Sequence, residues 1–91
     1  MNTIMIEIPP QLRHFTNEVT EEELTAVNVG EALLLLCQKY PDLSSHLVDE
    51  NKDLPSFVTL LIDNVDIKKM EGLNTLLQED NVLRIEMPIA F

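Results

Sequence analysis

Among the 91 residues there is one cysteine, two glycines and no tryptophan, and only six basic residues stand against sixteen acidic ones. The lone Cys37 has no partner for an internal disulfide, and nothing at the N-terminus joins a basic stretch to a long apolar run, so a reducing cytoplasm is the expected setting. The longest unbroken apolar run, Ala32 to Cys37, falls far short of the roughly 20 residues that span a bilayer, which argues against a membrane role. With only Gly30 and Gly72 available, a glycine-rich phosphate loop is excluded. The formal net charge of -10 argues against nucleic acid or an anionic membrane as partner, because both need clustered lysine and arginine. A protein with a basic face fits that charge better, although an acidic surface also serves solubility alone.

Constellations that carry chemistry are equally scarce. Asp49, Asn51 and Asp53 have the opening spacing of a calcium loop, but Leu54 stands where glycine is required and Leu60 where the bidentate glutamate is required. His14 and His46 have no cysteine or carboxylate at metal-ligand spacing, so they read as surface or capping residues. Cys37 falls on an apolar helix face, where burial raises a thiol pKa and makes a poor nucleophile. The run Glu21-Glu22-Glu23 has no apolar surroundings to shift a carboxyl pKa and reads as a solvated face. No catalytic residue, metal site or cofactor is expected, and the chain reads as a carrier or binding protein, not an enzyme.

What is present is a core. The 45% hydrophobic content over 91 residues encloses one modest domain, 1–91. Thr3 to Ile8 alternates, placing Ile4, Ile6 and Ile8 on one face, as a half-buried strand requires. Pro9-Pro10 closes it, with Leu12 and Phe15 as plugs at the end of the core. Glu18 to Ala26 reads as an acidic edge strand anchored by Val19, Leu24 and Val27. Asn28 and Glu31 have capping-box spacing ahead of a helix whose face is Val29, Leu33, Leu36, Cys37 and Tyr40, widened by Leu34 and Leu35. Pro41 stops it, and Asp42 to Leu47 restarts a short helix with Leu43 and Leu47 inward.

Two apolar strands fill the last third. Phe57 to Asp63 turns at Asp63-Asn64 into a short Val65-Asp66-Ile67 return. Val82 to Met87 then alternates apolar with polar until Pro88 ends its pairing, leaving a tail at 88–91. The two most apolar strands, first and last, are natural central neighbours, and pairing them is parallel. The expected class is therefore α+β, with a mixed sheet packed on one main helix in the β-grasp, ubiquitin-like plan. The outward positions Met5, Phe57, Thr59, Leu61 and Arg84 form a candidate patch for docking a partner, unless loops or a second copy cover them.

The order of these pieces resembles the MoaD/ThiS family of ubiquitin-like sulfur carriers, and within it the MoaD-like subgroup, including carriers that serve cysteine synthesis. The likeness rests on Phe57 to Asn64, Val65-Asp66-Ile67, Glu71 to Leu77 and Val82 to Ile89. It is joined by Ile6-Glu7-Ile8-Pro9 with Leu12, Arg13 and Thr16, by Val29-Gly30-Glu31 and by Tyr40-Pro41. The resemblance implies a carrier whose C-terminal carboxylate is adenylated by an E1-like enzyme, becomes a thiocarboxylate, and delivers sulfur to a second, sulfur-accepting enzyme in cofactor or cysteine biosynthesis. On that basis Pro88, Ile89, Ala90 and Phe91 are the residues expected to enter a partner. The family's terminal Gly-Gly is absent after Phe91, and a phenylalanine ring is expected to be refused by a channel suited to glycine. The competing expectation is a ubiquitin-like interaction or regulatory module without carrier activity.

Overall fold

The computed structural model describes residues 2–47, 54–55 and 57–87. Five strands and one main helix follow in chain order: β1 (Asn2–Glu7), β2 (Glu21–Ala26), α1 (Val29–Lys39), a single-turn α2 (Ser44–Leu47), β3 (Thr59–Ile62), β4 (Val65–Asp66) and β5 (Val82–Glu86). The sheet order is β2-β1-β5-β3-β4. β1 and β5 are parallel at its centre, with Met5, Ile6 and Glu7 opposite Val82, Leu83 and Arg84. The other pairings are antiparallel. The expected mixed sheet with parallel first and last strands is thus the one observed.

Alternation decides which face is buried. Ile4, Ile6 and Ile8 from β1 and its end, Leu60 and Ile62 from β3, and Leu83 and Ile85 from β5 all turn toward α1 and are almost wholly buried. From the helix come Val29, Ala32, Leu33 and Leu36, and beneath it Leu43 and Leu47, each inaccessible or nearly so. Leu12 plugs the end of the core from a 3-10 turn spanning Pro10–Phe15, and Phe15 packs at its margin, as the sequence implied.

The helix starts at Asn28, whose Oδ1 accepts the Glu31 N–H at 2.8 Å. The reciprocal half of the box is displaced by one residue, since Glu31 Oε1 accepts from the Val27 N–H at 2.8 Å. Consequently the backbone just before the cap is gripped and Val27 points to solvent, 41% exposed, correcting its expected role as an anchor. Ala26, with no accessible surface, takes that place. Leu34 is a second correction. It is 57% exposed, because Ala32, and not Leu34, lies on the core side of the 3.6-residue period. The third and fourth corrections are of extent. β2 begins at Glu21 because Asn17 and Glu18 hold positive φ in the preceding turn, and β3 begins at Thr59 because the Val58 N–H bonds Pro55 O, turning the chain before Phe57 can pair.

Glu22 fastens β2 to the helix. On the edge strand it alternates to the inner side with Leu24 and Ala26, and its side chain is only 11% exposed. There Lys39 Nζ lies 2.5 Å from one carboxylate oxygen, and the Tyr40 hydroxyl donates to the other at 2.8 Å. Burial pushes the Glu22 pKa up, but the hydrogen bonds from Lys39 and Tyr40, with the lysine charge, outweigh it and leave the group below its ordinary value. The acidic run is therefore split: Glu21 and Glu23 are solvated, as expected, while Glu22 is tied down.

Two measurements test these points. Asn28→Ala is expected to lower stability by about 1 kcal/mol in urea unfolding, the usual effect of losing an N-cap acceptor. For Glu22, a depressed folded pKa means that its stabilising contribution is complete above the unfolded pKa and disappears as pH falls through the folded one. Glu22→Gln is thus expected to be less stable than the native chain at neutral pH, with the gap closing in acid below the ordinary carboxylate range. A gap independent of pH would show that ionisation of Glu22 is irrelevant.

Candidate functional site

The sheet's outer face has no helix over it among the described residues. Register sets one continuous row across all five strands: Glu21, Glu7, Arg84, Leu61 and Asp66. The neighbouring row runs Glu23, Met5 and Val82, and Thr59 stands opposite Glu86. Met5, Thr59, Leu61, Val82 and Arg84 are all half-buried. Four of the residues picked from sequence, Met5, Thr59, Leu61 and Arg84, are thereby brought onto one surface. Phe57 stands just ahead of β3 with half its surface exposed. Pro88, Ile89, Ala90 and Phe91 lie outside the described residues, as does the rejected calcium-loop segment Asp49, Asn51 and Asp53.

Arg84 is the cation at the middle of this face. Its Nε lies 3.4 Å from Glu7 Oε1 and one terminal nitrogen lies 3.4 Å from Glu86 Oε2. The other terminal nitrogen donates to Asn64 Oδ1. The Nε contact with Glu7 is a proximity of charges and not an aligned hydrogen bond, since Nε has no hydrogen-bond partner. Asn64 is presented by the turn that joins β3 to β4. Asp63 and Asn64 have φ of 48° and 73°, the two left-handed positions of a two-residue hairpin, which aspartate and asparagine tolerate. Asp63 in turn accepts from the Val82 N–H at 3.0 Å and from Asn81 Nδ2 at 2.7 Å, tying the turn to the start of β5.

At the far end of β5 the chain leaves the sheet between β1 and β3. β1 ends there too, and its continuation bends away through Pro9 into the 3-10 turn. That turn meets the carbonyls left by the finished ladder. Arg13 Nε donates to Ile8 O at 3.1 Å, and Gln11 Nε2 donates to Met87 O at 3.2 Å. A groove lined by Glu7, Pro9, Gln11, Arg13, Glu86 and Met87 runs along this exit. The residues that sequence reasoning missed are Gln11 and the outward carboxylates Glu7 and Glu86. The carboxylates alternate with buried residues and were legible as outward-facing, but their convergence on Arg84 depends on strand order. Gln11 carried no signal.

His14, Phe15 and His46 stack at the side of the molecule, with ring centroids 3.9 and 4.5 Å apart in the two successive contacts. They are packing residues there. Burial raises the Cys37 thiol pKa, in keeping with an unreactive thiol on the helix.

No family model matches the sequence, and no curated protein matches it either. Solved structures do. A chain of the Amycolatopsis orientalis BexX/CysO complex superposes with a TM-score of 0.89 at 22% identity, covering 97% of this chain and 98% of that one. The fold is β-grasp, ubiquitin-like. The small archaeal modifier protein 1 (SAMP1) of Methanosarcina acetivorans matches with a TM-score of 0.86 at 28% identity, covering 100% and 97% of the two chains. Mycobacterium tuberculosis CysO matches with a TM-score of 0.86 at 22% identity, covering 94% and 99%. The resemblance to MoaD-like ubiquitin-like carriers read from the sequence thus extends to the β-grasp structure as a whole.

The β-grasp exit depends on the side chains that hold its carbonyls. Gln11→Ala is expected to cost no more than about 1 kcal/mol in global stability, the net worth of one hydrogen bond. It should lower the backbone order parameter of Met87 more than those of β5. An unchanged order parameter at Met87 would exclude Gln11 as the clamp.

Proposed function

We propose that this protein is a sulfur carrier of the MoaD-like type, a substrate of its partner enzymes and not a catalyst itself. The observation that supports this best is the placement of β5. The strand β5 is central, paired on both sides, and it hands the chain on at the sheet's end, where Gln11 of the Pro10–Phe15 turn holds the Met87 carbonyl. Such an arrangement holds a carboxyl-terminal segment on a rigid body, so that an enzyme can grip the body and act on the tail. One neighbour of the same fold was crystallised in the BexX/CysO complex, which agrees with a protein that works by docking.

The chemistry follows from the carboxyl group. A carboxylate is a poor acyl donor until one oxygen becomes a leaving group. Attack on the α-phosphorus of ATP at an E1-like enzyme supplies this, expelling pyrophosphate and leaving an acyl-adenylate. A sulfur nucleophile then displaces AMP, and the resulting thiocarboxylate is carried to a sulfur-accepting enzyme. This chain contributes recognition. The half-buried Met5, Thr59, Leu61 and Arg84, with Phe57 beside them, form the docking patch, and Pro88, Ile89, Ala90 and Phe91 form the lead-in to the active site. Glu7, Glu21, Glu23 and Glu86 around the patch favour a partner with basic residues at the rim, whose association slows as salt is added. A narrow channel would favour residues without side chains, so a Gly-Gly extension after Phe91 is expected to be accepted where the phenylalanine ring is refused.

The test compares the chain ending at Phe91 with one extended by Gly-Gly, each incubated with ATP, a sulfur donor and an E1-like adenylating enzyme. Intact mass is expected to show one oxygen replaced by sulfur on the extended chain only. If the extended chain binds the enzyme but is never adenylated, the carrier reading falls and the interaction module remains. Sulfur found on Phe91 itself would instead remove the requirement for glycine.

A further inference from the structure

At the margin of the outer face, the β2 edge of the sheet is open among the described residues. β2 pairs with β1 over six residues, from Asn2 opposite Ala26 to Glu7 opposite Glu21. Because the Ile8 N–H bonds Thr20 O, the hydrogen-bonded pairs in this antiparallel ladder alternate from there through Ile6 with Glu22 and Ile4 with Leu24. The backbone groups of Glu21, Glu23 and Thr25 therefore point outward, and they meet no backbone partner among the described residues. Three outward-facing residues spaced along a six-residue strand make a template for another strand.

The side chains that flank this edge differ on its two faces. Toward the outer sheet surface stand the exposed Glu21, Glu23 and Thr25. Toward α1 stand Glu22, already neutralised by Lys39 and Tyr40, and the half-buried Leu24. Leu35, one turn before Lys39 on the flank of the helix that meets β2, is likewise half-buried at the margin of the core. A strand laid against β2 would alternate between these environments: carboxylates on one side, and the half-buried Leu24 and Leu35 on the other.

We propose that the β2 edge is a docking site for an extended segment of a partner protein in which basic residues alternate with apolar ones. Backbone pairing to Glu21, Glu23 and Thr25 supplies the register. The basic side chains meet Glu21 and Glu23, and the apolar ones pack on Leu24 and Leu35. The same carboxylates disfavour pairing of two copies through this edge, since Glu21 and Glu23 would face their counterparts. This site is independent of any chemistry at the carboxyl terminus.

A capped six-residue peptide alternating lysine and valine, matched to the length of β2, provides the probe. Titrated into the full chain, it is expected to slow amide exchange at Glu21, Glu23 and Thr25, and to bind more weakly as salt is raised. The double variant Glu21→Lys with Glu23→Lys, both exposed and away from the core, is expected to weaken binding roughly tenfold or more. Thr25→Pro removes one outward N–H and the exposed side-chain bond to Thr3 Oγ1 but no backbone bond of the β1–β2 ladder, so it is expected to weaken the same complex while the Ile6 amide stays protected, with Thr25→Val as the control for the lost hydroxyl. The proposal is overturned by absence of binding, by equal binding of a glutamate-valine peptide, by protection that appears elsewhere, or by self-association of the chain through β2.

Discussion

The parallel contact between β1 and β5 is the constraint on which the rest of this structure depends. It joins residues near the two ends of the sequence, Met5 to Glu7 with Val82 to Arg84, and so makes both strands central. Everything between them must then be placed around that pair. β2 returns as a hairpin on one side, β3 and the short β4 occupy the other, and α1 crosses the face where Ile4, Ile6, Leu83 and Ile85 are buried. The exit of the chain beside Gln11 and Arg13 is a result of this arrangement, because a central strand can leave the sheet only at its end.

Charge is distributed with the same economy. The excess of acid over base would be a source of repulsion on a small body, yet three carboxylates near the interior or the sheet centre are matched. Glu22 is held by Lys39 and Tyr40, and Glu7 and Glu86 lie around Arg84. Glu18, Glu21, Glu23, Asp42, Glu71 and Asp80 are left in solvent, where repulsion is weakest and screening by salt strongest. The surface is therefore acidic at long range, but at short range it has a defined centre in Arg84.

Much of this was legible because it depends on local periodicity. Ile4, Ile6 and Ile8 announce a one-sided strand, Asn28 announces the helix, and Leu43 and Leu47 announce the turn beneath it; each signal spans only a few residues. The choice between Ala26 and Val27, or Ala32 and Leu34, was not legible, since the more hydrophobic residue of each pair is the exposed one. In each case the backbone phase, and not hydrophobicity, decides: the grip of Glu31 on the Val27 N–H fixes one, and the helical turn fixes the other. The inward turn of Glu22 needed knowledge of where Lys39 would lie, and the role of Gln11 needed the location of Met87, which is 76 residues away in sequence. Of the candidate site, its strand positions could be read but their assembly into a row around Arg84 could not.

The pairing of distant segments also bears on how the protein is made. On a translating ribosome, β1 emerges first and can form its hairpin with β2 at once, but its other edge has no partner until residues 82–86 have been synthesised. Until then the apolar face of β1 has only part of its cover, and the nascent chain is open to misassociation for most of its synthesis. A core closed by its fifth strand thus cannot be completed until residues 82–86 are available to pair with β1.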